Sequence, residues 1–107
     1  MTVKQIESNG YDHNELVRCR LALLCVIGNT VLHADTISSI ETLNKHFSGV
    51  HFFVVGDGNL SHFFNQFHFR GSPVYIFLEN GIEKARLLGM VTTERLQAFI
   101  EKNMVQQ

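Results

Sequence analysis

The chain has 107 residues, of which 45% are hydrophobic and 18% charged, and a formal net charge of -1. A chain of that size can bury a core without staples, and the composition excludes a disordered or membrane-spanning protein. With no basic surplus, nucleic acid is not an expected partner, because phosphate contacts need clustered Lys and Arg.

The opening stretch Met1-Thr-Val-Lys-Gln-Ile-Glu7 has no long apolar run and no cleavage pattern, so no export signal is expected. The longest apolar run, Leu21 to Ile27, is too short to cross a bilayer. Two cysteines without an export signal point to a reducing, cytoplasmic setting. Repeats and Pro/Gly-rich linkers are absent from the sequence, so residues 1–107 read as a single domain.

In chain order, residues 1–10 are polar and close on Ser8-Asn9-Gly10, a turn signal. Asp12 can cap a short helix through Leu16 and Val17. Leu21-Ala-Leu-Leu-Cys-Val-Ile27 is unbroken and apolar, the pattern of a strand buried on both faces. Asp35 is the expected N-cap of a helix reaching about Phe47, with Ile37, Ile40, Leu43 and Phe47 on one face. Glu41 and Lys45 form an i,i+4 pair on it, and Ser48-Gly49 ends it. Val50 to Val55 reads as a second buried strand, stopped by Gly56-Asp57-Gly58. Residues 60–67 fit a short helix with Leu60, Phe63, Phe64 and Phe67 inward.

Arg70-Gly71-Ser72-Pro73 breaks the chain before a strand over Val74 to Leu78. Asn80-Gly81 is a two-residue hairpin signal leading into a strand around Lys84 to Leu88. Thr92 can cap the last helix, with Leu96, Phe99 and Ile100 inward and Met104 near its end. The order is α-β-α-β-α followed by β-β-α. It implies parallel pairing with crossover helices first, then an antiparallel hairpin.

That order, with a proline just before the hairpin, resembles the thioredoxin family. The likeness is carried by Arg70-Gly-Ser-Pro-Val-Tyr-Ile-Phe-Leu-Glu-Asn-Gly81, then Leu88-Gly89, then Glu94-Arg-Leu-Gln-Ala-Phe-Ile-Glu-Lys-Asn103, and covers roughly residues 12–104. It implies an α/β thioredoxin-like fold, a central mixed sheet of about four strands flanked by about four helices. In thioredoxins a Cys-x-x-Cys sits where a strand meets a helix, and the helix N-terminus stabilises its thiolate. Counting back from Pro73, that place falls on Asn29-Thr30-Val31-Leu32, where both cysteines are replaced. The aromatic residue that usually precedes the motif is missing, and Leu23 falls near the buried acid that assists proton transfer. The resemblance further implies a cis Ser72-Pro73 bond beside a groove that holds an extended peptide through main-chain bonds. Its rim would be Ile27, Gly28, Asn29, Thr30, Val31, Ser72 and Pro73, with Gly89 and Met90 beside them.

Other residues offer little competing chemistry. Cys19 and Cys25 lie six residues apart, about 20 Å on an extended strand at ~3.3 Å per residue. A disulfide needs Cα atoms within about 7 Å, so an intramolecular bridge is not expected. Cys25 reads as a small buried hydrophobe and Cys19 as the more exposed of the two. The six histidines, His13, His33, His46, His51, His62 and His68, are scattered without metal-ligand spacing, so no metal is expected. Ser72, His33 and Asp35 could be drawn as a triad, but no nucleophile-elbow motif supports it. The nine phenylalanines fall at core spacing, and Asp57-Gly-Asn59 lacks the ligands of a calcium loop.

The reading is a non-catalytic thioredoxin-like interaction module without a cofactor: a chaperone, adaptor or assembly factor binding an extended segment of a protein partner near Pro73. The alternative is a divergent thiol-dependent oxidoreductase or glutathione-linked enzyme using Cys19 or Cys25. Whether the chain is an enzyme stays open here, as does a homodimer through an edge strand or a thiol.

Overall fold

The computed structural model describes residues 4–6, 18–28, 34–56 and 73–105. Five strands form one sheet: β1 (Lys4–Ile6), β2 (Leu21–Gly28), β3 (His51–Gly56), β4 (Val74–Glu79) and β5 (Ile82–Leu88). Among the described residues they are accompanied by α1 (Ala34–His46) and α2 (Thr93–Val105). The strand order is β1-β3-β2-β4-β5. β1, β3 and β2 run parallel, whereas β4 is antiparallel to both β2 and β5.

β2 is the axis of the sheet, as its unbroken apolar run predicts. Every side chain from Leu21 to Ile27 is buried. Their alternation feeds two cores. Ala22, Leu24 and Val26 join Phe53, Val55, Val74, Ile76 and Leu78 on one face. Leu23, Cys25 and Ile27 join Phe52, Val54, Tyr75 and Phe77 on the other. Both described helices pack on this second face, through Ile40 and Leu43 from α1 and Leu96 and Ile100 from α2. Each such side chain, fully withdrawn from water, contributes roughly 1.5–3 kcal/mol. The rings of Phe77 and Phe99 meet edge to face at 6.5 Å.

The local signals act as their chemistry requires. Asn80 and Gly81 take φ of 53° and 84°, the two left-handed positions of a tight hairpin that pairs Glu79 with Ile82. The Thr92 hydroxyl accepts the Arg95 N–H at 3.1 Å, capping α2 as its sequence predicts. β5 ends the sheet, and its outer edge is guarded. A register shift opposite Phe77 and Leu78 leaves Lys84 as the extra residue, and Arg86 grips Glu83 with two bonds of 2.6 Å. A bulge and charges on an edge discourage pairing with another strand.

Four expectations are corrected. The polar opening, where no element was expected, holds β1, a fifth strand against about four expected, paired with β3 rather than marked by any apolar pattern of its own. Asp35 is not the N-cap of α1, which already includes Ala34; its carboxylate sits in the first helical turn. Cys19 is as buried as a core residue, at 9% exposure, because it joins the first core face just ahead of β2. The helices described number two, against about four expected. The spans expected to be helical at 12–17 and 60–67 lie outside the described residues.

Candidate functional site

The topology gathers several chain ends along one edge of the sheet. Because β2 and β3 are parallel and β4 runs against them, the end of β2 and the start of β4 adjoin there, and the end of β5 pairs with the latter. Val26 pairs with Val74, and Val74 with Leu88. This is the carboxyl edge of the parallel strands, where open α/β sheets place their ligands. β2 is irregular on arrival: Val26 pairs with Val55 and Gly28 with Gly56, so Ile27 is an extra residue. Such bulges re-aim a strand end beside a site.

Pro73 is buried and its carbonyl accepts the Gly89 N–H at 2.9 Å, which ties the entry of β4 to the corner after β5. Gly89 has φ of 84°, and a Cβ there would meet nothing within 4 Å. Glycine is therefore required by the backbone and not by crowding, and the surface above it is open. Met90 follows at 68% exposure, with Leu88 at 61% on the other side of the glycine. Two large apolar side chains thus stand in solvent at the corner that faces Pro73.

Between the first turns of α1 and α2 lies a cavity of about 160 Å³. Tyr75 and Leu96 form its buried walls, Val91 and Met90 flank it, and Asp35 stands at its border. The Ser39 and Thr93 hydroxyls bridge the two helices at 2.7 Å. Burial pushes the Tyr75 phenol up to about 12; proximity to the Cys25 thiol adds to the rise, and a hydrogen bond with the Thr36 side chain works against it. Sequence reasoning missed this cavity, since its residues come from three separate stretches. The one available signal was Tyr75 itself, a polar-tipped ring in an aliphatic strand, which needs a partner when buried.

The expected site residues divide as follows. Pro73, Gly28, Gly89 and Met90 lie along the same edge. Ile27 does not contribute a side chain to a rim, because it has no exposed surface and packs in the core beneath α1 and α2. Asn29, Thr30, Val31 and Ser72 lie outside the described residues, as do Leu32, His33 and the Ser72-Pro73 bond. Cys25 sits opposite Tyr75 and Val54 with no exposure; its Sγ lies 3.9 Å from the Leu23 carbonyl oxygen. Burial pushes its thiol well above the usual range, so its thiolate is scarce at neutral pH. Cys19 and Cys25 project into opposite core faces and are not joined in a disulfide. Leu23, at the place of the expected acid, is wholly buried between Phe52 and Phe77. Among the described residues no three His, Cys, Asp or Glu side chains converge as a metal site, and no helix is long and apolar enough to cross a membrane.

Strand order, hairpin and the helix pair define a thioredoxin-like fold. Thioredoxin O2 from Arabidopsis thaliana, in its oxidised state, superposes with a TM-score of 0.76 at 20% identity, over 94% of this chain and 93% of its own. Thioredoxin f2 from Chlamydomonas reinhardtii gives 0.73 at 16% identity, over 94% and 95%. A designed protein reaches 0.80 at 11% identity, over 97% and 99%. No family model and no curated protein sequence matches the chain.

Proposed function

We propose that this chain is a non-catalytic protein-interaction module of the cytoplasm, a chaperone, adaptor or assembly factor. It holds an extended segment of a partner protein across the surface that carries the redox motif in thioredoxins. Asn29, Thr30, Val31 and Ser72 would line that surface with Gly28 and Pro73, and neither nucleic acid nor membrane is a partner. The observation that carries the reading is a contrast in exposure. Both thiols are sunk in the core, whereas Leu88 and Met90 stand exposed around an open glycine beside Pro73. Strand-like recognition needs main-chain groups and apolar neighbours, and it needs no thiol.

Affinity capture in reductant, comparing wild type with Thr30→Arg and Ser72→Arg, tests the proposal. A partner retained by wild type, lost by both folded variants and indifferent to reductant supports it. Retention by both variants refutes it. So does a partner held only in the absence of reductant, which returns the thiol-dependent reading through Cys19 or Cys25.

A further inference from the structure

The cavity between α1 and α2 is not accounted for by a surface that binds main chain. Its chemistry is lopsided. Tyr75, Val91 and Leu96 offer apolar wall, and Asp35 brings a full negative charge to the border. Among the described residues no Lys, Arg or His lines it. The hydroxyls of Ser39 and Thr93 share one hydrogen between them, and Thr36 and Tyr75 are likewise bonded to each other. The Thr92 hydroxyl oxygen already accepts the Arg95 N–H. What remains for a ligand is the Asp35 carboxylate, which only accepts, and hydroxyls that can still both accept and donate.

The amino ends of α1 and α2 both open towards this place and would favour an anion on their own. Asp35 occupies that role at α1, and the Thr92 cap satisfies a donor at α2, so an incoming anion would meet a carboxylate that no described lining residue offsets. An all-apolar occupant would strip water from Asp35 and the hydroxyls without replacing its bonds. A cation on an aliphatic stem satisfies both halves: the stem lies along Tyr75 and Leu96, and the head reaches Asp35. The volume of about 160 Å³ suits one long side chain.

We infer that this cavity takes one basic side chain, a lysine or arginine, from the segment bound at the adjoining sheet edge; the identity of the ligand as a partner's side chain rests on the function proposed above. The cavity selects for position and charge, while the edge supplies main-chain affinity.

Amide and methyl NMR titration with n-butylammonium, against 1-pentanol as the neutral match, tests this without a partner. The amine is expected to shift Thr36, Ser39, Thr93 and the Leu96 methyls saturably, at least fivefold more tightly than the alcohol. Asp35→Asn, at an exposed position, is expected to bring the amine down to the level of the alcohol. Equal binding of amine and alcohol overturns the inference. Unchanged amine binding in Asp35→Asn overturns it, as do shifts confined to Asp35 without Leu96. The two readings fail separately. Partner capture that survives Asp35→Asn at full strength sinks the basic anchor and leaves the edge. Amine binding by wild type, with capture unaffected by Thr30→Arg and Ser72→Arg, sinks the edge and leaves the cavity.

Discussion

Replacing Leu23 with Asp puts a carboxyl near the place where the thioredoxin resemblance expects a buried acid. Leu23 has no exposed surface, and it pairs with Phe52 on one side and Phe77 on the other. It belongs to the hydrophobic cluster of Phe52, Val54, Tyr75 and Phe77. Losing the leucine packing costs about 3 kcal/mol, within the usual span for emptying a buried site. A carboxyl buried without a cation has its pKa raised by about 3 units or more from about 3.9. The folded state then keeps its proton to higher pH than the unfolded chain, so stability falls as pH rises from about 4 through the folded-state value. Three units correspond to about 4 kcal/mol. Leu23→Asp is therefore expected to lose about 3 kcal/mol near pH 4 and about 7 kcal/mol near pH 8, comparable with the whole stability of many domains. Urea unfolding followed by circular dichroism at the two pH values measures this, with Leu23→Asn as the control that cannot ionise. A deficit independent of pH, or one below about 1 kcal/mol at both, would refute the reasoning, since either means the site is wet or supplies a cation.

The remaining expectations test other parts of the argument. Both thiols should alkylate slowly in the native protein at neutral pH and quickly in urea, because burial separates each from reagent and disfavours the Cys25 thiolate; a fast-reacting native thiol, identified by peptide mapping, would count against the non-catalytic reading. Gly89→Ala should lower stability by about 1–2 kcal/mol purely through its left-handed backbone, since its Cβ meets open space; no loss in urea unfolding would mean the corner relaxes freely. Thr92→Ala should cost about 1 kcal/mol by uncapping α2, with Thr92→Ser close to wild type; equal losses in both would assign the effect to packing. In a phenolate absorbance titration, Tyr75→Phe should remove a step near pH 12. The wild type should lose stability as pH rises from about 10 through that value, because the folded phenol holds its proton longer than the unfolded one; a Tyr75 step near 10 would show that the phenol is solvated.

Much of the architecture was legible because it is written in short-range chemistry. The apolar run from Leu21 to Ile27 can only be satisfied by burial on both faces. Asn80-Gly81 supplies two left-handed residues in succession, and Thr92 stands one residue ahead of an amphipathic run. Those features place the central strand, the hairpin and the last helix without knowledge of their partners. By contrast, β1 carries no periodic signal of its own, and its strand state comes from pairing with Phe53, Val54 and Val55. Asp35 looked like a cap because its residue type suits one, yet where a helix starts depends on the turn before it.

By itself the sequence determined the order of β2, α1, β3, β4, β5 and α2, and that its cysteines cannot make a Cys-x-x-Cys. Tertiary structure alone decided that Cys19 and Cys25 face opposite cores, that Ile27 points inward, and that Asp35, Ser39, Tyr75 and Thr93 border one cavity. The physical reason is range. Backbone preference and apolar periodicity act over a few residues, whereas a cavity wall is set by strand register and helix packing between segments dozens of residues apart.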